Sequence, residues 1–395
     1  MVLRVTALCW VWAASSAASL AEQPRHTLVM HDSFTSVRGG AATIRLNAGM
    51  LPGPAWLELR PIASPPDAPG PDPDEDLAFY ESAEVTRTGP PGDNVFTEAL
   101  LSWNIDVPSG CGIRLDVLVR DAATNVWSPP LFIGSWGDAA TGTGPAARPQ
   151  TTDTGIKVDI DYLRSERPLN ALMYHITAAR TGSAAGGAGA AQPPVLVRRM
   201  AVCLSDTRTK NTAPVGQLVP TRIGRLGVPF RTQKTTDEAL TGRLCSPTSL
   251  SMVLAHRGVD LPVERVAALT LDPHFGIYGN WPRNVQAAFS VGVPGYLTRL
   301  NTWAELEGLV SSGNPVIISI AVEPGELRGA PYADTRGHLI VVEGFDSEGN
   351  VLVNDPAAPT AEQGQLTYPR ADLTTVWLRR VDGTAYVLLP RETAP

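Results

Sequence analysis

Cysteine is scarce in this 395-residue chain: four occur, at positions 9, 111, 203 and 245, and none forms a Cys-x-x-Cys pair. Neither a dense disulfide framework nor a zinc ribbon is therefore encoded. His-Glu-x-x-His is absent and the six histidines are dispersed, so no metal and no cofactor is expected. There is no Gly-x-Ser-x-Gly elbow and no phosphate-binding loop. Basic residues are outnumbered, 32 against 39 acidic ones, for a formal charge of −7, and no block of Lys and Arg interrupts that balance. This excludes nucleic acid as a partner, because phosphate binding needs a clustered basic surface. After the first 21 residues no apolar run approaches the ~20 residues of a membrane-spanning helix, so no membrane span is expected.

The first residues carry one positive charge, Arg4, an apolar stretch from Val5 to Ala18, and the small-x-small step Ser19-Leu20-Ala21 before Glu22-Gln23-Pro24. This pattern predicts a secretory signal peptide over 1–21, cleaved after Ala21, and a secreted or extracytoplasmic protein. Cys9 leaves with the signal. Three cysteines then remain, and an odd number in an exported protein leaves at least one thiol unpaired. Cys111 and Cys203, both at strand edges, are candidates for a bridge; Cys245 is the expected free thiol.

The remaining length suggests two domains. Residues 22–206 read as all-β. Alternation marks strands at Ile113 to Val117 and at Ile156 to Tyr162. Further candidates are Thr43 to Leu46, Trp56 to Leu59, Phe96 to Ile105, Leu131 to Ile133, Leu172 to Ala178 and Val195 to Leu204. Breaker-rich loops such as Ser64 to Asp74 and Gly182 to Pro194 separate them, which points to a β-sandwich or jelly roll. Trp103, Trp127 and Trp136 have the chemistry to stack on sugars, yet such residues are more often core. Contact of this domain with cell envelope or polysaccharide is one expectation. Residues 207–221 are polar and punctuated by Pro and Gly, and read as a linker.

Residues 222–395 read as an α+β domain, helices first and an antiparallel sheet second. Thr302 to Glu305 is a capping box ahead of a helix reaching Ser312, and Pro262 suits the first turn of a helix through Ala268. Strands are expected at Val316 to Val322, His338 to Phe345, Val351 to Asn354, Val376 to Arg380 and Tyr386 to Leu389. Asp382-Gly383 would join the last two as a hairpin.

Candidate chemistry gathers in this domain. Cys245 opens an amphipathic helix whose first turn accepts Pro247 and whose end carries His256, Arg257 and Gly258. Unpaired N–H groups and the helix dipole at that start favour thiolate over thiol. His338 follows Gly337 at the mouth of a strand that is apolar on both faces, placed to take a proton from the thiol and return it to a leaving amine. Asp355 closes the next strand and can orient that imidazole; Asn354 points the other way. Gln233, in the loop ahead of Cys245, can pair its amide with the Cys245 N–H as an oxyanion hole. His256, His274 and the remaining histidines are read as structural.

From about Leu226 to Pro390 the chain resembles the bacteriocin-processing-type cysteine peptidases, and more closely their exported, stand-alone peptidase-like branch. The matching pieces are VPFRTQ (228–233), CSPTSLSMVL (245–254), GNPVIISI (313–320), GHLIVVEGFD (337–346) and VLVNDP (351–356). The resemblance implies a papain-like fold, a Cys245–His338–Asp355 centre and Gln233 in the oxyanion hole. It implies an exported thiol hydrolase that cleaves peptide or protein substrates through a Cys245 thioester. Ser246 stands where that family usually has Gly, and a side chain there is expected to narrow the site. A catalytically inactive peptidase fold used for binding or adhesion is the alternative, and acyl transfer to an amine is a third reading. The resemblance does not reach the N-terminal half.

Overall fold

The computed structural model describes residues 25–31, 45–46, 57–59, 62–63, 75–87, 94–138, 150–181, 193–212, 214–216, 223–237 and 239–391. The expected signal peptide with its cleavage point, the loop at 64–74 and most of the loop at 182–194 lie outside the described residues.

Every regular element described before residue 226 is a strand. These are β1 (His26–His31), β2 (Arg45–Leu46), β3 (Leu57–Leu59), β4 (Ile62–Ala63), β5 (Glu75–Glu81), β6 (Phe96–Asp106), β7 (Cys111–Asp121), β8 (Leu131–Gly137), β9 (Gln150–Thr151), β10 (Ile156–Asp159), β11 (Tyr162–Thr181), β12 (Val195–Ser205) and β13 (Gly224–Arg225). The first twelve form one sheet with the path β2-β3-β12-β6-β11-β10-β9. The 20-residue β11 changes partners along its length: its start pairs with β6, and from Leu169 onward it pairs with β7 on one side and, from His175, with β5 on the other. Alternate residues of β6 and β7 make the core, and Trp103 is buried so closely against Gly134 that a Cβ there would lie 2.5 Å from its ring. Burial of such a side chain contributes about 2–3 kcal/mol.

Two expectations for this half are corrected. Ile156 to Tyr162 is not one strand: the chain turns at Ile160, whose φ of 56° is rare for a β-branched residue, and Asp161 instead faces the N–H of Trp281 at 3.2 Å. Cys111 and Cys203 are not bridged; both are buried free thiols on strands that do not pair with each other.

The second half holds β14 (Gly295–Arg299), β15 (Val316–Val322), β16 (Thr335–Phe345), β17 (Val351–Asn354), β18 (Gln365–Tyr368) and β19 (Thr384–Leu388). Their antiparallel order is β14-β19-β15-β16-β17-β18, with β13 added to β16. Helices α1 (Cys245–His256), α2 (Val263–Thr270) and α3 (Trp281–Ser290) precede the strands, and α4 (Trp303–Ser311), α5 (Ala361–Gly364) and α6 (Arg370–Leu373) lie between them. Both faces of the sheet are covered. Val316, Ile318 and Ile320 pack with Trp303 and Leu306 of α4, while Ile317, Leu339 and Val341 pack with Leu250 and Val253 of α1. That is why β15 and β16 read as continuous apolar runs.

Val376 to Arg380 is not a strand. Thr374–Arg379 continues α6 as a π-helical turn, with Trp377 buried edge-on to Trp303 at 5.2 Å and its indole N–H donating to the Thr384 carbonyl. So short an apolar run suits either period, and packing on Trp303 decides. Asp382-Gly383 does turn, with φ of 54° and 67°, but it joins the π-helical segment to β19 and makes no hairpin; a Cβ on Gly383 would lie 2.1 Å from the Leu300 carbonyl oxygen.

Candidate active site

Helix α1 is central rather than amphipathic: Ser246 to Leu254 are all buried. Its polar residues are therefore each given a partner, Ser249 Oγ donating to the Leu339 carbonyl (2.9 Å) and Ser251 Oγ to that of Leu261 (2.8 Å). Gly258, with φ of 81°, ends the helix. At the other end no side chain caps the first turn, and Cys245, half-buried, stands there with the N–H groups of Ser246 and Leu339 directed at its sulfur.

Strand β16 supplies the imidazole. His338 is buried opposite Ile320, and its Nε2 lies 2.8 Å from Asp355 Oδ1, which leaves Nδ1 for the side-chain hydrogen bond with Cys245. Asp355, fully buried just past β17, is saturated with donors. Oδ1 also accepts from the Ala357 N–H (3.0 Å), and Oδ2 accepts from the hydroxyls of Tyr332 (3.0 Å) and Tyr368 (2.7 Å). The Tyr332 ring stands edge-on to His338 at 5.0 Å.

Electrostatics follow from these contacts. Burial opposes ionisation of Cys245, but the hydrogen bond and charge of His338 and the two backbone N–H groups outweigh it and hold the thiol below its ordinary 9.0. Burial pulls His338 down, yet its bonds to Asp355 and Cys245 and their charges raise it from 6.5 to about 10. Asp355 is likewise pushed up by burial and brought net below 3.8 by His338, Tyr368 and the Ala357 N–H. Burial and the Asp355 charge raise both phenols, so they stay protonated donors. The two groups titrate as a coupled pair, and each shift is in the direction that favours its charged form.

The segment bearing Gln233 is anchored from β16. Glu343, fully buried, accepts from Arg225 Nη1 (2.6 Å) and from the Val228 N–H (2.9 Å), and the Asn354 amide donates to the Val228 carbonyl (3.0 Å). The Gln233 N–H then donates to the Pro356 carbonyl at 2.8 Å, next to Asp355, and its side-chain Oε1 is buried without a partner. Asn354 thus faces away from His338, as period two requires. Ser246 narrows nothing on the thiol side. Its hydroxyl is buried, donating to Asn284 Oδ1 (3.0 Å) and lying 3.2 Å from the Tyr386 hydroxyl.

Cys245, His338 and Asp355 are therefore brought into one hydrogen-bonded array, with Gln233 at the strand end that carries Asp355. Sequence reading missed Tyr332, Tyr368 and the Arg225–Glu343 pair. Tyr368 sits on a strand that carried no alternation signal, and Tyr332 lies in a loop; only a buried Glu inside an apolar strand hinted that a cation must face it. Among the described residues no three His, Cys, Asp or Glu converge as a metal site, and no helix is long and apolar enough to cross a membrane.

A thiol at a helix start, an imidazole and a carboxylate in line define the class of a cysteine peptidase centre. Residues 225–384 match the model of the Peptidase_C39 like family, so this part of the chain is similar to the C39-type cysteine peptidases. No curated protein matches the chain. Among solved structures it is similar to a double glycine motif protease from an AMS/PCAT transporter, solved in complex with a leader peptide. That match has 24% identity and a TM-score of 0.30, and covers 42% of this chain and 94% of that one. It is also similar to the infectious bursal disease virus Gt strain structure, at 12% identity and a TM-score of 0.17, over 47% of this chain and 54% of that one.

Proposed function

We propose that this protein is an exported cysteine peptidase that hydrolyses peptide or amide bonds through a thioester on Cys245. The observation that carries this reading is the unbroken array from the Cys245 sulfur through His338 to Asp355. The thiolate attacks the scissile carbonyl carbon. The oxyanion that forms accepts hydrogen bonds from the Cys245 N–H and from the Gln233 side-chain Nε2–H. His338 gives its proton to the leaving amine as the C–N bond breaks, leaving a thioester. It then takes a proton from water, whose oxygen attacks the thioester and releases the acid and the thiol. Asp355 keeps the ring oriented and favours imidazolium, and Tyr332 and Tyr368 keep Asp355 an anion.

The fold reading that goes with this chemistry is papain-like for residues 222–395, since α1 lays its start against an antiparallel sheet that delivers base and carboxylate from β16 and β17. For 22–206 it is β-sandwich-like, with β11 as the strand that changes partners. An inactive binding fold finds less support, because Ser246 is turned away from the thiol. Sugar stacking by the N-terminal half finds little: Trp103 is core, and the guanidinium groups of Arg120 and Arg283 cover Trp127 and Trp136. Export belongs to the same proposal, with Glu22 as the first residue of the processed protein.

The test is Cys245→Ala against wild type on a peptide library, read by mass spectrometry of the products. The proposal expects wild-type cleavage products to vanish in the variant. Unchanged cleavage by Cys245→Ala, or none by a wild type with an alkylatable thiol, would contradict it.

A further inference from the structure

A linker-joined N-terminal domain would ordinarily move independently of the peptidase domain. Side-chain placement argues otherwise. Strand β14 is the last in its sheet, paired on one side with β19 only. Its other edge should present unpaired N–H groups, a costly arrangement if buried and an aggregation hazard if exposed. Three outward N–H groups at period two are each met by a side chain of the first sheet. Gly295 donates to Asn104 Oδ1 (3.1 Å), Leu297 to Ser102 Oγ (2.9 Å), and Arg299 to the Cys203 sulfur. Asn104, Ser102 and Cys203 are themselves almost completely buried, polar groups on a face that would otherwise be apolar.

Helix α3 is gripped in the same way. After Leu100, β11 no longer pairs with β6, so the β6 backbone is open at Ile105. The Gln286 amide fills that gap with two hydrogen bonds, accepting from the Ile105 N–H (3.0 Å) and donating to its carbonyl (2.8 Å), as a strand partner would. Arg283 reaches the Ser135 carbonyl, and the Trp281 ring stacks on Tyr162 at 6.0 Å. Around the rim, Arg299 pairs with Glu98 (2.6 Å), Arg25 with Asp382, and the Asn301 side chain holds both backbone groups of His26. Two residues from Gln286 on the same helix, Asn284 takes the hydroxyl of Ser246 beside the nucleophile.

We propose that the N-terminal β domain is a fixed part of the catalytic unit: it caps the β14 edge and clamps α3, and through Asn284 and Ser246 holds the helix start that presents Cys245. Only the last link rests on the peptidase reading. Cys203 is then an edge cap.

The experiment uses the intact secreted chain carrying a protease site in the segment 217–221, cleaved after folding. The halves should co-elute on gel filtration and unfold in one calorimetric transition, with the iodoacetamide rate of Cys245 unchanged. Gln286→Ala, and separately Ser102→Ala, should lower that single transition by roughly 2–4 °C, and Gln286→Ala should also shift the pH profile of Cys245 alkylation. Separation of the halves on dilution, or two transitions of which each variant moves only one, would overturn the proposal. An intact single transition without any peptide cleavage would instead sink the peptidase reading and leave this one standing.

Discussion

The carboxylate of Asp355 has no solvent, so every lone pair must be satisfied by the protein, and four donors do so. Tyr368 gives the shortest of the two phenol bonds to Oδ2. Tyr368→Phe should therefore raise the Asp355 carboxyl, weaken its hold on His338 and lower kcat/KM about tenfold, in line with the ~1.5–3 kcal/mol of a hydrogen bond to a charged group. The accompanying signature is an upward shift of the Cys245 alkylation midpoint; loss of rate with an unmoved midpoint would speak for a packing defect instead. The pH dependence has a definite sign. Because His338 is raised in the folded state, its contribution to stability is complete below 6.5 and is lost as pH climbs towards about 10. Asp355, lowered, contributes above 3.8 and loses that contribution as pH falls through its depressed value. Hydrolysis should show an alkaline limb near the upper of these limits, measurable as kcat against pH, since the proton destined for the leaving amine is gone above it. The placement of Cys245, His338 and Asp355 was legible in sequence because helix start and strand ends have local signatures. Tyr332 and Tyr368 were not, since their relation to Asp355 exists only after folding.

Among the elements, β16 carries the most. It pairs on both sides, presents His338 at its mouth and buries Glu343 at its far half, where that carboxylate fixes the segment leading to Gln233. Removing it by Glu343→Ala leaves the Arg225 charge and the Val228 N–H unpaired, and should destabilise by about 3 kcal/mol, at the low end for a broken buried pair because Arg225 keeps some solvent. Urea unfolding measures this, and the loss should be accompanied by a raised KM as the Gln233 segment loosens. The element reading of the sequence succeeded where an apolar run was long, as in β15 and β16, or where a capping box marked the start, as in α4. It failed at Thr374–Arg379, where a three-residue apolar run fits two periods, and at Ile160, where a positive-φ turn interrupts perfect alternation. Helix α1 was read as amphipathic because its serines look like a solvated face; they are buried and bonded inward instead.

For the whole molecule, the division into a β half and an α+β half follows from composition and periodicity. Their junction does not. The bonds that join them link residues such as Ser102 and Leu297, or Ile105 and Gln286, nearly two hundred positions apart, and each pairs a buried polar side chain with a backbone group, which no local pattern announces. The 207–221 segment reads as a spacer between modules, but Arg370 of the second half donates to the Val215 carbonyl within it. A purified secreted form should begin at Glu22, by N-terminal sequencing. That start leaves β1 and the Arg25–Asp382 pair intact, so processing would not disturb the junction.

The most direct test of the central claim is the pH dependence of iodoacetamide alkylation on the folded chain, with the modified residue mapped by mass spectrometry. Modification should fall on Cys245 alone, because Cys111 and Cys203 are buried, with a midpoint below 9.0 that returns to the ordinary thiol range in His338→Ala. A midpoint at or above 9.0 in the wild type, unmoved by His338→Ala, would contradict an activated Cys245.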